Sequence, residues 1–476
     1  MIKFDKAALV MTVMASALLG ACSMNPIYKR PDAPVAATFA GGSATSASAT
    51  RAAIDIGWRE FFPDQRLQLL IATALENNRD LRTAALRIEE ARSLYNIQSA
   101  DLLPNLNGTA TGARVRTPGS LTPQNRPLIS SSYQVGFSLA SFELDFFGRV
   151  RSLNEAALAS YLATAEAQRS AQISLVGEVA KAYLAERGFA EQLSLAQQTL
   201  AGRQKAYDLA RQRFDVGASS EFDLRLSETL VQTTRVSLLT LQRQRAQSEN
   251  ALTLLVGKPL TDLPPASMLS SENIITPIPA GVPSDLLINR PDLLAAEQRL
   301  KAANANIGAA RAAFFPRISL TAALGTSSNA LSGLFDAGSG SWTFAPSLVL
   351  PIFDAGRNSS NLTLAQVRNN LAITDYEKTI QTAFREVSDT LVARGLLDEQ
   401  VTAQQTVVDA QAQRLKLADL RFQNGIASAL DVVDAQRDLF SAEQSLVQTR
   451  LQRLTNAIDL YRALGGGLKE NSASSS

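Results

Sequence analysis

The chain has 476 residues, 46 basic against 44 acidic side chains, a formal net charge of +2, no histidine and one cysteine. So even a charge balance excludes nucleic acid as the main partner. The missing histidines remove the commonest metal ligand and general base, and a lone cysteine forbids an internal disulfide. No metal site, catalytic constellation or cofactor is expected from the remaining side chains.

Lys3 and Lys6 make a basic start, Ala7 to Leu19 an apolar run, and Leu19-Gly20-Ala21-Cys22 follows directly. The run is short for a bilayer span and reads as a signal peptide over 1–21. Leu19 to Cys22 resemble the bacterial lipobox, which implies cleavage before Cys22 and lipidation of its thiol. Ser23 is not the aspartate associated with inner-membrane retention, so the outer membrane is favoured. The alternative is an ordinary signal peptide with a chance cysteine. Such an anchor ties a protein to a membrane without crossing it. Residues 22–60 then read as an extended tether, with Pro26, Pro31, Pro34 and an Ala/Ser/Thr-rich run from Ala36 to Ala53.

The rest of the chain states itself twice. Phe214-x-x-Gly217-x-x-Ser220-x-x-Asp223 returns as Phe422-x-x-Gly425-x-x-Ser428-x-x-Asp431, and at the same offset Gly148-Arg149 returns as Gly356-Arg357. Two repeats, 61–257 and 285–467, are therefore expected, with a Pro-rich connector over 258–284 and a frayed tail over 468–476. In the first repeat, Arg151 to Arg213 is free of proline and carries apolar residues at helical spacing; Asn358 to Arg421 is its counterpart. Each spans about 95 Å as a helix. Helices so long suggest a coiled coil or a duct. Shorter helices are expected over Asp64–Leu103, Ser220–Gly257, Asp285–Phe315 and Ser428–Leu464. Stacking Ser220–Gly257 on Asp285–Phe315, and Ser428–Leu464 on Asp64–Leu103, gives two broken rods of about 100 Å beside the two continuous ones. That sum suggests a barrel of helices interrupted at mid-height. Leu430, Val433, Phe440, Val447, Leu451, Leu454, Ile458 and Tyr461 form a heptad stripe expected to be a packing seam.

Between the helices the period changes to two. Strands are expected in hairpins at about 105–147 and 317–355: Leu106, Gly108, Ala110 and Gly112; Tyr133, Val135, Phe137 and Leu139; Ile318, Leu320, Ala322 and Leu324; Trp342, Phe344, Leu348 and Leu350. Their opposite faces are small or polar. Pro346 interrupts the last strand and needs an edge or a bulge. Apolar-out, polar-in strands of this length are the signature of an outer-membrane barrel. Four strands cannot close one, and open edges are forbidden in lipid. A dimer's eight strands enclose only side chains, so three copies are the fewest that leave a bore. The fold class expected is mainly α with a small membrane β part: a tandem-repeat barrel of long helices continuous with a trimeric twelve-stranded β-barrel, four strands per chain.

The repeated Gly/Ser/Asp segments read as the turns of two helical hairpins. Gly217 and Gly425 suit the left-handed position that ends a helix, and Ser220 and Ser428 can cap the next, with Asp223 and Asp431 returning the bond. Capping alone explains the motif; presenting these tips to a partner's hairpin is the functional alternative. Asp431, Asp434 and Asp438 share one sector of a helix beside Leu430. On a monomer this is a solvated face, whereas on a three-fold axis each becomes a ring of the kind that constricts and selects in pores. Arg437 could bridge to a neighbour and hold such tips shut.

Cys22 with Pro26-Ile27-Tyr28-Lys29-Arg30-Pro31, Asn289-Arg290-Pro291-Asp292-Leu293, Phe315-Pro316-Arg317-Ile318, the repeated tip motif, Asp434-Ala435-Gln436-Arg437 and Leu464-Gly465-Gly466-Gly467 together resemble a family. It comprises the outer-membrane factors of tripartite efflux systems, in the lipid-anchored, OprM-like branch related to TolC. The resemblance implies a homotrimer in outer-membrane lipid that receives substrates from an inner-membrane RND transporter through a periplasmic adaptor (membrane fusion) protein. It also implies Leu430 and Asp434 as constriction rings and Arg437 as a latch. Asp431 stands where such chains can carry an uncharged residue. The rival readings are the same duct serving protein secretion, a non-conducting coiled-coil envelope lipoprotein, and an envelope enzyme.

Overall fold

The computed structural model describes residues 23–36, 38–39, 52–269 and 283–471. Cys22 and the signal peptide lie outside the described residues, as do 37 and 40–51 of the tether, 270–282 of the connector and 472–476 of the tail. In chain order the helices are α1 (Trp58–Phe61), α2 (Gln65–Asn77), α3 (Arg79–Ala100), α4 (Arg149–Asp215), α5 (Glu221–Val256), α6 (Pro283–Asn289), α7 (Pro291–Ala312), α8 (Arg357–Gln423) and α9 (Ala429–Ala463). The strands are β1 (Leu106–Thr117), β2 (Leu128–Leu144), β3 (Arg317–Ser328) and β4 (Gly340–Val349). No described helix is long and apolar enough to cross a membrane. At 67 residues each, α4 and α8 slightly exceed the expected long helices and run about 100 Å.

The chain divides into two compact units, and each draws segments from both sequence repeats. The first holds the described part of Met1–Asp32, with Arg87–Ala165 and Ala295–Glu377. Its strands form one antiparallel sheet in the order β1-β2-β3-β4. The register sets Phe137 opposite Gly108 and Leu324, Leu139 opposite Leu106 and Ala322, Leu324 opposite Trp342, and Ala322 opposite Phe344. All four expected apolar sets thus share one face. Phe137, Leu324, Trp342, Phe344 and Leu348 on that face are 60% to 76% exposed, so the chain itself does not cover them. One extra residue lies in β2 between Leu139 and Phe142, with Ser141 at φ 50. This bulge returns Phe142, opposite Leu320, to the face of Leu139. Pro346 sits on β4, an edge strand, as its missing N–H requires.

Elsewhere in this unit, Ala156 and Ala159 of α4 cluster with Ala302 and Ala305 of α7, small side chains that let two helices approach closely. The start of the tether is docked through Pro26, Tyr28 and Arg30. Asn304 Nδ2 donates to the Pro26 carbonyl at 2.9 Å, and Tyr28 and Arg30 both reach Glu297 of α7, Arg30 at 2.6 Å. Burial works against the Glu297 carboxylate, yet Arg30 and Lys301 hold its pKa below the ordinary range.

The second unit holds the described parts of Ala33–Leu86, Glu166–Leu294 and Lys378–Ser476. Its core gathers Trp58, Phe61, Phe62, Leu67, Ile71, Tyr183, Ile458 and Tyr461, all nearly fully buried. The Phe61 and Tyr461 rings stack at 4.0 Å, and the Tyr461 hydroxyl donates to the Ile56 carbonyl at 2.6 Å.

Two expected helices are broken. Asp64–Leu103 is interrupted at Asn78, which takes an extended conformation, and Asp285–Phe315 at Arg290, which Pro291 pushes out of the helical region. These breaks overturn the expected stacking. Asn78 Nδ2 donates to the Leu255 carbonyl at 2.8 Å, so the end of α5 abuts the α2–α3 junction. Arg290 Nη1 donates to the Ala463 carbonyl at 3.0 Å, so the end of α9 abuts the α6–α7 junction. Each helix end therefore meets a junction of its own repeat, where the lengths alone paired helices of different repeats. Carbonyls at a helix end lack intrahelical partners, and these two junction side chains supply donors. Asn78 serves both helices, because its Oδ1 also accepts from the Leu81 N–H at 2.9 Å.

Gly257 ends α5 at φ 74, and a Cβ there would collide with the Asn77 backbone, whereas one on Gly217, at φ 75, would meet open space. Gly217→Ala should therefore cost only the left-handed strain, about 1–2 kcal/mol. Gly257→Ala should cost more and lower the thermal unfolding midpoint further. Equal midpoints by circular dichroism would show that the α2–α3 junction yields freely.

Candidate channel aperture

The two helical hairpins turn by the same device. At the α4–α5 turn, Gly217 N–H donates to the Phe214 carbonyl at 2.8 Å and Ala218 N–H to the Arg213 carbonyl at 2.7 Å. At the α8–α9 turn, Gly425 and Ile426 repeat those bonds to Phe422 and Arg421 at 3.0 and 2.8 Å. Both glycines have φ above 70°, which completes a Schellman ending at each tip. Ser220 and Ser428 cap the next helices through the Asp223 and Asp431 N–H groups. Only the second tip forms the full capping box, with Ser428 N and Oγ each 2.8 Å from Asp431 Oδ2. Val216, Phe222 and Ile426 stand exposed around these turns.

The expected aperture residues lie at the start of α9. Leu430 is 44% exposed and unabsorbed by the core. Asp434 pairs with Arg437 of its own helix at 3.3 Å, and Arg437 Nε lies 3.6 Å from Asp438. Asp438 is also held by Arg414 of α8 at 2.7 Å, which keeps its carboxyl below the usual range. Asp431 is likewise held low, by the Ser428 backbone N–H and hydroxyl. The four residues thus gather on one helix end, but Asp431 is engaged in capping and Arg437 in local pairs.

The heptad stripe is buried only in its second half, at Val447, Leu454, Ile458 and Tyr461. Nearer the tip, Val432, Ala435, Ala442 and Leu446 are buried instead, a row of smaller side chains that the larger residues masked in the sequence. Arg203 of α4 is buried near the tip, with no signal in the sequence, because an isolated arginine in a long polar helix carries no pattern.

Comparison with known proteins shows the family of the whole chain. The family model described as outer membrane efflux protein matches residues 70–258 and 282–466, and the chain belongs to that family. It is an outer-membrane efflux channel protein, of a channel family and not an enzyme family. It is 47% identical to the outer membrane protein OprJ of Pseudomonas aeruginosa, over 97% of this chain and 96% of that one. It is 46% identical to the toluene efflux pump outer membrane protein TtgI of Pseudomonas putida, over 96% and 97%. The open state of the MtrE outer membrane channel of Neisseria gonorrhoeae superposes with a TM-score of 0.87 at 42% identity, over 95% of this chain and all of that one.

The low-held carboxyl of Asp431 makes the α9 cap depend on pH. A group with a depressed folded-state pKa stabilises above its unfolded value, about 3.9, and that contribution is lost as pH falls through the folded value. Hydrogen exchange at the first turn of α9 should accelerate below about pH 4 relative to the chemical rate. In Asp431→Asn it should be fast throughout, with no such step. A wild-type protection profile that ignores pH would remove the cap from the account.

Proposed function

We propose that three copies of this chain form the exit duct of a tripartite efflux pump, passive in itself, which carries small toxic compounds across the outer membrane. The observation that carries this reading is the open sheet with an uncovered apolar face. In lipid its two edge strands need partners, and β1 of one copy against β4 of the next supplies them. Two relatives are an efflux-pump protein named for toluene and a channel solved in an open state, which supports apolar and amphiphilic cargo and a gated bore. A periplasmic adaptor and an inner-membrane RND transporter complete the pump, and the lipid on Cys22 adds an outer-membrane anchor.

The gate assigned here is the start of α9. On a three-fold axis Leu430 and Asp434 become an apolar and an anionic ring, and Arg437, paired within its own helix in the single chain, lies at the rim where a neighbour's carboxylate can take it. Asp431 adds charge beside the ring while capping. Gly217, Ser220, Asp223, Gly425 and Ser428 shape the tips offered to the adaptor, which opens the duct by binding the open form better.

Leu430→Ala with Asp434→Ala should raise single-channel conductance in planar bilayers severalfold. Unchanged conductance would reject the gate while leaving the duct intact. Cross-linking of the detergent-extracted protein should stop at three copies; a stable, fully folded monomer would refute the duct. Labelled palmitate should mark the wild type and spare Cys22→Ala. Deleting the gene should sensitise cells to solvents, dyes and antibiotics.

A further inference from the structure

The tip helices of the second unit line an open cleft of about 670 Å³ that neither the turns nor the caps explain. Leu209, Leu230 and Val432 give it an apolar lining, and Arg203, at 6% exposed, forms part of its wall. The guanidinium has only neutral neighbours. Nη1 donates to Thr234 Oγ1 of α5 at 2.5 Å, Nη2 to the Gln436 carbonyl of α9 at 3.3 Å, and the group lies 5.4 Å from the centre of the Phe440 ring. Its Nε–H has no hydrogen-bond partner. Burial with no compensating carboxylate draws its pKa down.

The other charged groups of the cleft do not neutralise it. Asp419 has its carboxyl raised by burial alone, with no cation acting on it. Asp223 is taken by Ser220 at 2.7 Å, and Arg213 lies over the Phe422 ring at 5.8 Å. A buried guanidinium held only by neutral acceptors bears an uncompensated desolvation penalty, which an anion arriving in the cleft relieves. The volume falls within the range of small-molecule sites, which combine apolar walls with a few polar groups, and of the charged groups here Arg203 is the one buried without a counter-ion.

We propose that this cleft binds a small amphiphilic carboxylate, the carboxylate accepting from Arg203 while the apolar body lies against Leu209, Leu230 and Val432. The site shares the start of α9 with the gate through Val432 and Gln436 but uses none of Leu430, Asp434 and Arg437, so its failure would leave the efflux reading standing.

Fluorine NMR titration of the full-length, detergent-solubilised protein with para-trifluoromethylbenzoate tests it, with para-trifluoromethylbenzamide as the neutral body. The benzoate should show saturable line broadening and the benzamide only linear partition into detergent. Arg203→Gln should weaken benzoate binding on the order of tenfold, the loss of one charge-assisted contact. Leu209→Trp, at a half-exposed position, should fill the cleft and abolish binding with the guanidinium intact. Equal affinity in Arg203→Gln, benzamide binding as tight as benzoate, or no saturable binding to the wild type would each overturn the proposal. Should Arg203→Gln fail to assemble, binding that survives in Leu209→Trp overturns it equally.

Discussion

The requirement that every backbone N–H and C=O in hydrocarbon find a partner organises this protein. Its sheet satisfies that rule internally along β2 and β3 and leaves it unmet along β1 and β4. The same sheet turns one face of large apolar side chains outward and keeps small and polar ones on the other. A soluble protein would cover that face from within the chain. Here the uncovered face calls for lipid and the unpaired edges call for further copies, two demands that the proposed trimer meets together.

Accounting for polar backbone groups recurs at smaller scale among the helices. Where α5 and α9 end, their last carbonyls would be orphaned in a packed region, and Asn78 and Arg290 are placed to donate to them. Arg290 can do so at 8% exposure because Asp292 and Glu386 share its charge at 2.6 and 2.9 Å. Arg203 has no such company. The contrast sets a satisfied structural arginine at one junction against a poised one at the tip, on one elementary criterion: whether a buried charge has its counter-ion.

At the tips, local chemistry is duplicated but not identical. Both turns end their helices the same way, yet only Ser428 and Asp431 close the reciprocal box, and only the second hairpin continues into Leu430, Asp434 and Arg437. Divergence of two copies of one hairpin is how a repeat acquires one element for movement and another for support. The second copy is the one assigned to the gate.

The sequence by itself determined the elements whose rules are local. Helical and two-residue periods, proline positions and the Gly-x-x-Ser-x-x-Asp spacing marked the long helices, all four strands and both tip turns, because each depends on neighbours a few residues away. The family motifs likewise announced the channel. What only the tertiary structure decided were matters of partner choice. Which junction each short helix end meets is not decided by length, since equal lengths permit two pairings and only the Asn78 and Arg290 bonds select one. Which face of α9 is buried near the tip depended on small residues that hydrophobicity ranks low. That Arg203 lies buried and uncompensated could not be seen in a chain where arginines are frequent, because a missing counter-ion is a property of space and not of order along the backbone.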